Sequence, residues 1–141
     1  LKLNTLIMHK QRDYSKVNCV EESIIIGDVN SLKSKTAIIL DDMCDTGGTL
    51  IKACKTLVKF GAKDVIAIVT HGILSGKALE RINNCECLKK IIVSNSIPQD
   101  YNFKNCSKLS VFTVEELLAE AIQKLHSSES MSDLFVVPSC D

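Results

Sequence analysis

The stretch Ile38-Ile39-Leu40-Asp41-Asp42-Met43-Cys44-Asp45-Thr46-Gly47-Gly48-Thr49-Leu50 sets three chemistries side by side within thirteen residues. Thr36 to Leu40 is short, apolar and β-branched, and reads as a buried strand. It runs into the carboxylates Asp41, Asp42 and Asp45. A Gly-Gly turn flanked by Thr46 and Thr49 then opens an amphipathic helix. Helix starts leave several N–H groups unpartnered and carry a partial positive charge, so this order fits a phosphate. Gly47 and Gly48 allow close backbone approach, and the two threonines add hydroxyls. The three aspartates would repel a bare phosphate and are expected to face sugar hydroxyls or a bound Mg²⁺.

Downstream of this stretch, Leu50, Ile51, Cys54, Leu57 and Val58 follow the spacing of a half-buried helix, ended by Phe60-Gly61. Asp64 to Val69 predicts a second buried strand, with Thr70-His71-Gly72 at its exit. Ser75 to Asn83 reads as a helix, Lys90 to Val93 as a strand leaving through Asn95-Ser96-Ile97-Pro98, and Leu109 to Phe112 as a short strand. Thr113-Val114-Glu115-Glu116 has the form of a capping box before a last helix. That helix carries Val114, Leu117, Leu118, Ala121, Ile122 and Leu125 on one stripe.

Upstream, Leu3 to Met8 predicts a strand that enters the polar, basic loop His9 to Lys16, and Ser23 to Gly27 predicts another. Gly27 to Ser34 nearly fits the phosphate-binding pattern GxxxxGK[ST]. Leu32 stands where the second glycine belongs, and a strand follows where a helix is required, so the match is rejected.

Nearly continuous apolar strands alternating with helices define an α/β domain, a mostly parallel sheet flanked by helices on both faces. Ligands bind such sheets beyond the carboxyl ends of the strands. Lys10, Thr70-His71 and Asn95-Ser96 are expected at that edge beside the acidic, Gly-rich turn. The roles of His9 and His71 stay open between a ligand or acid–base role and a structural one.

A chain of 141 residues fits a single domain over 1–141. Seventeen basic and seventeen acidic residues cancel, and tryptophan is absent, which argues against nucleic acid and acidic membranes as partners. No apolar run reaches the roughly twenty residues of a membrane-spanning helix. The seven cysteines are irregularly spaced, and Cys85-Glu86-Cys87 is one residue short of a CxxC pair. They are read as reduced thiols of a cytoplasmic protein, mostly small core residues.

The segment Asp41-Asp42-Met43-Cys44-Asp45-Thr46-Gly47-Gly48-Thr49 resembles the phosphoribosyl-pyrophosphate-binding motif of the type I phosphoribosyltransferase fold. Ile7 to Arg12, Thr70 to Gly76, Arg81 to Asn84, Asn95 to Pro98, Leu118 to Ile122 and Ser130 to Phe135 narrow the resemblance to the ribose-phosphate pyrophosphokinases, in that family's order. It spans nearly the whole chain but only the carboxyl-terminal half of a two-domain enzyme. A preceding domain, with most of the ATP site, is therefore expected.

The resemblance implies transfer of diphosphate from Mg-ATP to ribose 5-phosphate, with Mg²⁺ as cofactor and ATP as co-substrate. It implies Lys10 and Arg12 as catalytic residues of a flexible loop. Asp45, Thr46, Gly47, Gly48 and Thr49 would hold the 5-phosphate. Asp41 and Asp42 would take the ribose hydroxyls directly or through the metal. Both acids reach the sugar only if the strand is interrupted between its alternating faces. Ser130, Ser132 and Phe135 match a segment where phosphate or ADP acts as effector, and a homo-oligomer, dimer to hexamer, is implied. Gln11 and Asn4 depart from the family pattern. Two other readings are a non-catalytic paralogue or isolated ribose-5-phosphate-binding domain, and a nucleobase phosphoribosyltransferase. The latter is expected to lack the Lys10/Arg12 loop.

Overall fold

The computed structural model describes residues 3–10 and 23–135. A four-stranded parallel sheet runs in the order β3 (Thr36–Cys44), β4 (Asp64–Gly72), β5 (Leu88–Ser94), β6 (Leu109–Phe112). An antiparallel pair, β1 (Ile7–Lys10) and β2 (Ser23–Ile26), forms a separate two-stranded sheet. Leu6, just before β1, and Met8 and Ile25 of that pair pack on the main core. The β1 ladder extends past Met8, with His9 opposite Ile24 and Lys10 opposite Ser23, so Lys10 ends a strand instead of lying in the loop. Val29–Leu32 is a 3-10 turn that leads into β3, so the rejected phosphate-loop pattern lacks its helix here too.

Between strands lie α1 (Gly48–Lys59), α2 (Ala78–Asn83) and α3 (Asp100–Asn105), and α4 (Glu115–His126) follows β6. The expected start of α2 at Ser75 is too early. Leu74 and Gly76 have φ of 52° and 57°, and left-handed residues cannot belong to an α-helix. Helix α3 was not expected from sequence. It is short, polar, and has no buried side chain.

Strands added one after another in the same direction, by right-handed crossovers, place every crossover helix on the same face of the sheet. Burial shows this for α1 and α2. Val65, Ala67, Val69, Ile91 and Val93 are buried in one cluster with Leu50, Cys54 and Leu57 of α1 and Ala78 and Ile82 of α2. On the alternate positions of β3, Ile38 and Leu40 are 50% and 76% exposed. The parallel α/β class is as expected. On the side of those alternate positions, Ile38 and Leu40 of β3 are left uncovered by the described helices.

Two other expectations change. Helix α4 has no buried residue, and Leu118, Ile122 and Leu125 of its apolar stripe are exposed. Its start is capped, but not by the Thr113–Glu116 box. Thr113 Oγ1 accepts from the Glu115 N–H at 3.3 Å and donates to Glu115 Oε2 at 2.8 Å. Asn95 completes the cap from the exit of β5. Its Nδ2 donates to Glu115 Oε1 at 2.8 Å, and its Oδ1 accepts the Val114 N–H at 3.0 Å.

Candidate active site

The turn Asp45–Gly47 joins β3 to α1 at the carboxyl edge of the sheet. Gly47 takes φ of 73°, a left-handed conformation that a side chain would strain. The first intrahelical bond is Ile51 N–H to Gly47 C=O at 3.0 Å. Gly48, Thr49 and Leu50 therefore carry the amides that helix geometry leaves over. No side chain caps this end, and no acidic residue lies in its first turn. Asp45, Thr46 and Thr49 are exposed, and Gly47 is buried. An uncapped, acid-free helix start beside exposed hydroxyls is suited to an anion.

The acids precede it on β3. Pairing with β4 runs from Thr36↔Asp64 to Asp41↔Val69, steps over Asp42, and resumes at Met43↔His71 and Cys44↔Gly72. The alternation of buried positions slips at the same place: Val65, Ala67 and Val69 are buried, then Gly72, while Thr70 and His71 are both exposed. The register is the same on both sides of Asp42, and β3 is a continuous strand to Cys44, so what changes there is which side chains are covered. Asp42 N–H donates to the Asp41 carboxylate at 3.0 Å. Partial burial pushes the Asp41 carboxyl above its usual range, against the pull of that N–H, and the neighbouring Asp42 carboxylate adds to the rise. Two adjoining carboxylates suit a divalent cation or a pair of hydroxyl donors. Mg²⁺ commonly uses one or two carboxylates and takes its other ligands from water and phosphate, so this pair fits it.

Cys44 lies behind the turn and is buried. Burial and the Asp41 carboxylate push its thiol up to about 11, with the Gly47 N–H pulling the other way. It is a neutral thiol at ordinary pH, with no sign of nucleophilic activation.

Sequence reasoning missed what holds the turn. Leu74 N–H donates to Cys44 C=O at 3.0 Å and Ser75 N–H to Asp45 C=O at 3.1 Å. The Ser75 hydroxyl donates to the Asp45 carboxylate, and Arg81 Nη1 donates to Thr46 C=O at 2.6 Å. These partners are separated by 30 and 35 positions in the chain, so no local spacing announces them.

At the neighbouring strand ends, His71 Nδ1 and Ser96 Oγ lie 2.8 Å apart. Ser94 Oγ donates to Thr70 C=O at 2.6 Å. His71 thus has a structural partner at the site edge, whereas Asn95 is taken up by the α4 cap. Lys10 ends β1, and Arg12 lies outside the described residues. Ser130 and Ser132 meet each other, Oγ to Oγ at 3.0 Å, and Phe135 is 78% exposed. No described hydrogen bond joins this segment to the Gly-rich turn.

Fold and site together define a parallel α/β domain with an anion-suited, Gly-rich turn and adjoining carboxylates at its carboxyl edge. A family model described as the phosphoribosyl synthetase-associated domain matches residues 8–136. The chain belongs to that family. It is 46% identical over 135 residues to ribose-phosphate pyrophosphokinase 3 of Saccharomyces cerevisiae, covering 96% of this chain and 40% of that protein. It is 48% identical over 137 residues to ribose-phosphate pyrophosphokinase 2 of Schizosaccharomyces pombe, covering 97% and 41%. Among solved structures, phosphoribosylpyrophosphate synthetase from Mycobacterium smegmatis superposes with a TM-score of 0.71 at 36% identity, over 87% of this chain and 37% of that one. The chain spans about two fifths of the length of the curated relatives it matches.

Proposed function

We propose that this chain supplies the ribose 5-phosphate-binding part of a ribose-phosphate diphosphokinase of the cytoplasm. The observation that carries the reading is the uncapped, acid-free start of α1, set directly after the adjoining carboxylates Asp41 and Asp42. The helix amides with Thr46 and Thr49 receive the 5-phosphate, and the two acids take the ribose hydroxyls. The 1-hydroxyl oxygen of the sugar bonds to the β-phosphorus of ATP. The bridge from that phosphorus to the α-phosphate breaks, AMP leaves, and the hydroxyl proton passes to solvent or a base. Mg²⁺, when bound at Asp41 and Asp42, supplies positive charge beside the sugar and the diphosphate.

Catalysis of such transfers rests on positioning and electrostatics. The cations Lys10 and Arg12, placed by family resemblance, neutralise the diphosphate as it moves. Phosphate or ADP acting at Ser130, Ser132 and Phe135, and assembly into a homo-oligomer, belong to the same reading. Its support is the relatives' shared name and the cradle's chemistry.

Calorimetry with ribose 5-phosphate tests the binding half. Saturable binding that ribose alone does not reproduce is expected, and its absence sinks the reading. The transfer itself is checked by ATP-dependent formation of AMP, with and without the remaining part of a relative's chain added. Lys10→Ala is expected to lower turnover by roughly 10³-fold or more, the scale of an arginine finger. A change confined to KM would remove Lys10 from this role.

A further inference from the structure

We infer that Arg81 and Ser75 are positioning residues that set the turn's affinity for phosphate from behind it; this rests on the ribose 5-phosphate reading above. Three successive carbonyls of the turn are held by the segment after β4: Cys44 by Leu74 N–H, Asp45 by Ser75 N–H, and Thr46 by Arg81 Nη1. No peptide bond here is cis. In a trans peptide the C=O and the following N–H point in opposite directions. Each held carbonyl therefore turns the next amide, of Asp45, Thr46 and Gly47 in order, away from the 74–81 segment.

A carbonyl released from its brace is free to rotate toward an incoming phosphate and repel it. The Thr46 carbonyl is the critical one, because its brace is a side chain and a charged donor. Such a hydrogen bond is short and about twice as strong as a neutral one. The guanidinium also lies beside the start of α1: a Cβ built on Gly48 falls 3.7 Å from Arg81 Nη1. Ser75 acts on a different atom. Its hydroxyl donates to the Asp45 carboxylate, fixing a negative charge that would otherwise be able to swing toward the phosphate. This explains how an aspartate is tolerated in a phosphate-binding turn.

The test titrates wild type, Arg81→Ala, Arg81→Lys and Ser75→Ala with inorganic phosphate and with ribose 5-phosphate, and records each protein's unfolding midpoint without ligand. Arg81→Ala is expected to weaken both ligands by about tenfold or more, the loss of a hydrogen bond from a charged group. Arg81→Lys is expected to recover part of that loss, since it keeps a charged donor without the planar fork. Ser75→Ala is expected to weaken both ligands by a smaller factor.

A lowered midpoint with phosphate affinity unchanged would mean a tether that only stabilises, and would overturn the inference. If Arg81→Ala does not fold, Arg81→Gln takes its place in the same comparison. Wild-type protein that binds phosphate but not ribose 5-phosphate overturns the substrate reading alone, and the phosphate titrations still decide the brace. Wild-type protein that binds neither overturns both.

Discussion

The two glycines of the turn look equivalent in sequence, and in the structure they are not. Gly47 has φ of 73°, so Gly47→Ala is expected to cost about 1–2 kcal/mol, read from denaturant unfolding. Gly48 is the first helical residue, and an added Cβ meets Arg81 only at an ordinary 3.7 Å. Gly48→Ala should stay within about 0.5 kcal/mol of wild type in the same measurement. Asp41 gives a second asymmetry. Its carboxyl holds its proton more tightly in the folded state than the usual 3.8, so ionising it costs stability as pH rises through its folded value. Asp41→Asn should therefore unfold at a higher temperature than wild type at neutral pH. The difference should fade below 3.8, where the carboxyl is protonated in both states, and ribose 5-phosphate binding should be weakened throughout. The ligand-facing residues were legible because they are contiguous and chemically distinctive. Ser75 and Arg81 were not, because their roles arise only when β3 and β4 are paired.

The strands and helices follow the apolar periodicity closely where burial decides them. Strand β6 matches its expected limits, and α1 ends where Phe60-Gly61 requires. Element ends were legible less well, because hydrogen-bond ladders carry β3 and β4 into polar residues that no hydrophobic pattern marks. Gly72, at the end of β4, shows what such an end costs. A Cβ there would lie 2.9 Å from Val93 Cγ1, and its carbonyl accepts from buried Gln99 Nε2 at 2.7 Å. Gly72→Ala is expected to destabilise by roughly 1–3 kcal/mol through overpacking, measured by urea unfolding. Cys44, at the end of β3, gives a pH signature. Its thiol moves from 9.0 to about 11 on folding, so the stability it brings is complete below pH 9 and is lost as pH rises through 11. Unfolding midpoints followed across that window should fall more steeply for wild type than for Cys44→Ala.

At the scale of the molecule, composition told that the strands are apolar but not what covers each side of them. Ile91 is fully buried, whereas Leu40 on β3 and Ile122 on α4 are 76% and 67% exposed. Truncating these three separates core from uncovered surface. Ile91→Ala is expected to cost about 2–5 kcal/mol. Leu40→Ala and Ile122→Ala should each stay within about 0.5 kcal/mol, compared by chemical denaturation of this chain.

The one-directional order β3-β4-β5-β6 also bears on how the chain comes off the ribosome. Among the described strands of this sheet, each pairs with the one synthesised just before it, and none is inserted later between two earlier ones. The sheet can therefore lengthen from a single growing edge while translation proceeds, one crossover at a time. β6 is the last to arrive, pairing Leu109 to Phe112 with Ile91 to Ser94. A nascent chain halted before Leu109 carries that stretch of β5 as a raw edge, the place where it would meet a chaperone or another unfinished copy.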